Sequence, residues 1–129
     1  MTDAYKFRAV MGRLIVDAWA SEELMRVLQM NPKRVLSDRG LHPPSYVNIS
    51  VHRDTDRIEY VIAQPGWAGK YGPGIMQKLI DSPRSALESV GLRVRDGVEY
   101  KVLFNSNEHV NIIIPRKPLY YECSIEKIR

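Results

Sequence analysis

The stretch L-M-R-V-L-Q-M-N-P-K-R-V-L-S-D-R-G-L, Leu24–Leu41, decides the fold because the chain carries it twice. At a constant offset of 51 positions, Ile75–Leu92 reads I-M-Q-K-L-I-D-S-P-R-S-A-L-E-S-V-G-L. The alignment needs no gap and joins Met25 to Met76, Leu28 to Leu79, Pro32 to Pro83, Leu36 to Leu87 and Gly40-Leu41 to Gly91-Leu92. Similarity at a fixed period marks one supersecondary unit used more than once. The punctuation gives that unit its shape. A helix runs to Asn31 in one copy and to Ser82 in the other. That residue is placed to cap a second helix whose first position is proline, where a missing N–H costs nothing. The second helix stops at Gly40 or Gly91, a residue suited to the left-handed position just past a helix.

Working outward, V-N-I-S-V (Val47–Val51) alternates apolar and polar, R-D-T-D-R turns, and I-E-Y-V-I (Ile58–Ile62) returns. The second copy repeats the pattern with V-E-Y-K-V-L-F (Val98–Phe104), N-S-N-E and V-N-I-I-I (Val110–Ile114). Period-two alternation on both sides of a polar turn predicts a β-hairpin in each copy. Ahead of the repeats, Phe7, Val10, Met11, Leu14, Ile15 and Ala18 fall on one face of a helix. It should end near Trp19, because Ser21 before Glu22-Glu23 signals a fresh helix start. The expected architecture is α+β, a tandem helix–helix–β-hairpin repeat with an N-terminal helix. As one domain it divides into the helix 1–20, a first repeat 21–65, a Gly/Pro crossover 66–74, a second repeat 75–118 and a tail 119–129.

Bulk properties narrow the function. A chain of 129 residues buries about two-thirds of its unfolded surface and needs no covalent staples. The single cysteine, Cys123, rules out an intrachain disulfide and suits a cytoplasmic protein. The opening M-T-D-A-Y-K-F-R mixes charge into its apolar positions, unlike a secretion signal, and no apolar run approaches a membrane span of about 20 residues. The charge is +4 with pI ≈ 9.3. Lys and Arg are nevertheless interspersed with Asp and Glu, and the nearest basic cluster is Pro115-Arg116-Lys117-Pro118. Nucleic acid is not the expected partner.

Residues able to carry chemistry are few. His42, His52 and His109 lack metal-ligand spacing. Asp54, Asp56 and Glu59, with Arg53 and Arg57, read as a solvated turn. Gly66, Gly69, Gly72 and Gly74 match no phosphate loop. Trp67 and Tyr71 stand out, because aromatics in a Gly/Pro segment serve as interface anchors. Trp67 reads equally well as a cover for the seam between the repeats.

The run A-W-A-S-E-E-L-M-R-V-L-Q-M-N-P-K-R-V-L-S-D-R-G-L (Ala18–Leu41) resembles the signature of nitrile-hydratase-like leader peptides, in which A-W-x-D-x-x-[FL] leads into D-P-x-x-x-L and a glycine. These leaders belong to enzyme-modified, ribosomally made peptides of the proteusin type. The second copy, through I-I-I-P-R-K-P (Ile112–Pro118), resembles the nitrile hydratase α subunit. The resemblance covers roughly residues 13–118 and implies the fold of that subunit. There, the strand matching Ile58–Ile62 runs into a C-x-x-C-S-C claw whose thiolates and two backbone amides hold iron or cobalt. Here Ala63-Gln64 stands at that place, and Pro65-Gly66-Trp67 and Lys70-Tyr71 follow directly. Val61–Gly74 contains no cysteine, histidine or carboxylate. The expectation is therefore a non-catalytic protein without metal or other cofactor. It would dock through Trp19, Trp67, Lys70 and Tyr71 onto a peptide-modifying enzyme or a β-subunit-like chain, or onto a second copy of itself. Two other readings stand: a precursor whose tail is modified at Cys123 or Ser124, and a hydratase or lyase subunit of a hetero-oligomer.

Overall fold

The apolar stripe of the first helix finds its partners as its spacing requires. In the computed structural model, which describes residues 2–118, α1 spans Thr2–Ala20 and buries Met11, Leu14 and Ala18. Ser21 starts α2 (Glu22–Met30) by accepting the Leu24 N–H at 3.1 Å, with Glu22 and Glu23 at the positive end of the helix dipole. Then α3 (Pro32–Asp38) begins on its proline. In the second half α5 (Gly74–Asp81) and α6 (Pro83–Ser89) repeat this succession.

Asn31 and Ser82 occupy the capping positions, but neither side chain makes the capping bond. Each residue also closes the preceding helix, donating its N–H to Val27 O and Lys78 O respectively. Their ψ angles, 70° and 69°, differ from the 108° of Ser21, which does cap. The glycine ends behave as their type demands. Gly40 (φ 86°) and Gly91 (φ 89°) are left-handed. Gly40 N–H bonds Ser37 O and Leu41 N–H bonds Leu36 O, and Gly91 with Glu88 and Leu92 with Leu87 repeat both bonds. That pair of bonds is the Schellman motif, which satisfies the last helical carbonyls.

The strands correct the hairpin expectation. β1 (Asn48–Arg53) and β2 (Ile58–Ile62) do not pair with each other, and neither do β3 (Glu99–Leu103) and β4 (His109–Ile114). Instead β1 pairs in parallel with β4, Asn48 opposite His109, and β2 pairs in parallel with β3, Ile58 opposite Glu99. Turn side chains account for the divergence. Asp54 Oδ1 accepts the Tyr60 N–H at 2.8 Å, and Asn105 Oδ1 accepts the Asn111 N–H at 2.8 Å. At each turn a side chain thus takes the N–H that a hairpin partner would have used. The returning strand is free to pair with the other half.

Two hydrophobic clusters result, and each draws on both halves of the chain. The first joins Met11, Leu14, Met25, Leu28 and Leu36 to Ile112 and Ile114 of β4. The second joins Ile75, Leu79, Ala86, Leu87 and Tyr100 to Ala63, just beyond β2. No described helix is long and apolar enough to cross a membrane.

Candidate functional site

The exit of β2 is where the sequence points. Ala63 is buried and extends the parallel pairing by donating its N–H to Leu103 O at 2.8 Å. The chain then turns at once: Trp67 N–H bonds Gln64 O, and Lys70 N–H bonds Gly66 O. These bonds wind Trp67–Tyr71 into a short helix, α4. The glycine-rich crossover is therefore a helical turn. Gly72, at φ 93°, ends it with a backbone that a side chain would resist.

On α4, Trp67 is half-buried and packs against the second cluster. Lys70 Nζ lies 5.3 Å from the centroid of the Tyr71 ring. Tyr71 donates its hydroxyl to Val90 O at 3.3 Å and keeps 39% of its surface exposed. Trp19 belongs elsewhere. Its indole N–H reaches Pro115 O at 2.8 Å, and its ring packs on the first cluster. So the structure brings Trp67, Lys70 and Tyr71 together on one turn and places Trp19 against the other cluster. Cys123 and Ser124 lie outside the described residues.

Sequence reasoning missed a polar seam between the two sheets. Asn111 is buried, donates to Phe104 O (3.2 Å) and Asn105 Oδ1 (3.0 Å), and accepts from His52 Nε2 (2.9 Å). The His52 ring lies 4.8 Å from the Tyr60 ring on β2. His109 Nε2 and Ser50 Oγ are 2.9 Å apart. The available signal was the polar half of the alternation, Ser50 and His52 with His109 and Asn111, of which only the histidines had been weighed, as metal ligands. The Ser50–His109 distance would suit a hydroxyl nucleophile and its base, but that arrangement also needs a third group to orient the base. No hydrogen bond to the Nδ1 of His109 is present among the described residues. The seam links β1 and β4 to the turn that follows β3.

Charged residues in and beside the first turn pair across the fold. Arg53 meets Glu22 at 2.8 Å, Arg116 meets Asp56 at 2.9 Å, and Arg95 meets Glu59. Asp54 titrates above the ordinary carboxylate range because burial disfavours its charge. The Tyr60 N–H partly opposes that shift, while Glu59 adds to it and Arg116 and Arg95 oppose it. The native state therefore holds this proton more tightly than the unfolded chain. Stability from this group is greatest below the unfolded value of 3.8 and falls as pH rises through the raised native value. Asp54→Asn keeps the oxygen that accepts from Tyr60, as Asn105 does for Asn111. It should raise the melting temperature near pH 7 and give no gain near pH 3, as thermal melts at the two pH values would show.

The fold was compared with solved structures, and 84–85% of the chain superposes on nitrile hydratase and thiocyanate hydrolase chains. The fold is the one those enzymes share. A double mutant of the Fe-type nitrile hydratase from Comamonas testosteroni Ni1 matches with TM-score 0.70 at 17% identity over 60% of its own length. A thiocyanate hydrolase mutant matches with TM-score 0.64 at 19% identity over 61% of its length. A recombinant thiocyanate hydrolase with partially modified cobalt centres matches with TM-score 0.63 at 20% identity. The nitrile-hydratase-like chain thus spans about 60% of the length of the chains it matches. No protein-family profile matches it, and no curated protein matches it in sequence.

Iron and cobalt in these neighbours raise the question of a metal here. The donor set at the β2 exit does not fit one held by thiolates: Ala63, Gln64 and Pro65 offer no sulfur, imidazole or carboxylate. Among the described residues, no three His, Cys, Asp or Glu side chains gather as ligands would.

Proposed function

We propose that this nitrile-hydratase-like chain is a metal-free, non-catalytic docking module that presents α4 to another protein. The carrying observation is that β2 passes through Ala63 into a helical turn with no soft donor from Val61 to Gly74. Low-spin iron or cobalt chemistry needs such donors. In their place stand Tyr71, half-exposed, and Lys70. We read the two halves as copies of one helix–helix–strand–strand unit. The backbone bonds that recur at the same offset support this, as when Glu108 O receives Asn48 N–H and Arg57 O receives Glu99 N–H. The proposed partner is a peptide-modifying enzyme or a β-subunit-like chain in a cytoplasmic pathway to ribosomal peptide products.

Two measurements test this. Elemental analysis of the purified protein should find iron and cobalt far below one per chain, with no amide formed from nitriles. Stoichiometric metal together with turnover would end the reading. Co-expression with the chains encoded beside it should yield a complex that Lys70→Glu and Tyr71→Ala dissociate without lowering the melting temperature. Loss of the complex only through unfolding would make α4 a structural element.

A further inference from the structure

α1 stands outside the two repeated units, and its Lys6 and Phe7 line a half-open cleft of about 470 Å³ together with α3, the loop after it and the β1–β4 pair. The walls are apolar, made by Phe7, Leu36, Leu41, Val47, Ile49 and Val110. Among the described residues only two ionisable side chains line it, Lys6 and His42, and no carboxylate does. Lys6 reaches across to the end of α3, its Nζ 3.5 Å from where a Cβ on Gly40 would stand.

Small-molecule sites are commonly clefts of about 300–1,000 Å³, apolar in the main, with a few polar groups that orient the ligand. Here the apolar walls select hydrocarbon. A cationic side chain with no competing acid among the described lining residues selects an anionic head. We propose that this cleft binds a single-chain amphiphile, a medium-length alkyl carboxylate, with its tail along Val47 and Ile49 and its carboxylate at Lys6. The proposal does not depend on the docking role of α4, which lies against the other cluster.

Isothermal titration of the full chain with decanoate and with decanol tests it. Decanoate should bind saturably at one site, up to about five-fold tighter than decanol, the upper end of what an exposed ion pair supplies. Lys6→Gln should bring decanoate down to the affinity of decanol and leave decanol unchanged. Phe7→Ala should weaken both ligands. Both side chains are exposed, so the variants keep the fold, which the melting temperature verifies. Three results would overturn the proposal: no saturable decanoate binding up to about 1 mM, decanol bound as tightly as decanoate, or an affinity for decanoate indifferent to both substitutions.

Discussion

Cut between Gly66 and Trp67, the chain should yield two fragments that stay unfolded alone and fold when mixed one to one. Fragment 1–66 contains α1, α2, α3, β1 and β2, yet its cluster lacks Ile112 and Ile114. Its β1 also loses the strand that pairs with it. Fragment 67–129 carries α5 and α6 but lacks β2 and the buried Ala63. A piece of about 65 residues is marginal even with its core complete, and each of these would lack part of its core. Circular dichroism should show two coil-like spectra whose mixture gains the helical signal of the intact protein. A cooperative melt from fragment 1–66 alone would mean that the crossed pairing does not hold the fold together.

Ile114→Ala should be the most damaging single truncation from the second half, although its effect falls on the cluster built by α1, α2 and α3. The side chain is fully buried at the end of β4. Removing its methylenes and methyls leaves a cavity that helices from elsewhere in the chain cannot readily close. The expected loss is about 3–4 kcal/mol, a large share of the roughly 5–15 kcal/mol that holds a domain together. Ile113→Ala, on the opposite face of the same strand and only half-buried, should cost markedly less. Urea titrations read both, with an unchanged m-value showing that the unfolded reference is the same.

What could be read from the chain was local. The proline and glycine punctuation gave the ends of α3 and α6, because a residue's missing N–H or missing Cβ acts within one turn of helix. The alternation of Val47–Val51 and Val98–Phe104 gave strands, although β1 is half-buried on both faces and Phe104 is exposed. It could not name their partners, since a period of two is satisfied equally by a neighbouring strand and by one from the other half. The deciding contacts, Asp54 to Tyr60 and Asn105 to Asn111, are side chain to backbone and leave no periodic trace. The polar seam stayed hidden for the same reason: a period of two does not show that His52 will meet Tyr60 of the other sheet. Trp67–Tyr71 was obscured by its composition, since two flanking glycines and a proline mask one turn of helix. Trp19 and Trp67 were singled out as a pair for their chemistry, and only the fold assigns them to different clusters.

Because Asn48 awaits His109, the parallel strand pairing also sets a schedule for synthesis. A ribosome adds about 5–20 residues each second, so β1 emerges seconds before its partner exists. During that interval the apolar faces of α2 and β1 have only each other, α1 and α3 to rest on. Parallel pairing at long range is slow to form in any case, since loop closure must precede the contacts that reward it. The nascent chain therefore completes the β1–β4 pairing only once β4 has cleared the exit tunnel. A stall upstream of β4 would leave a sticky, half-built intermediate for chaperones to hold.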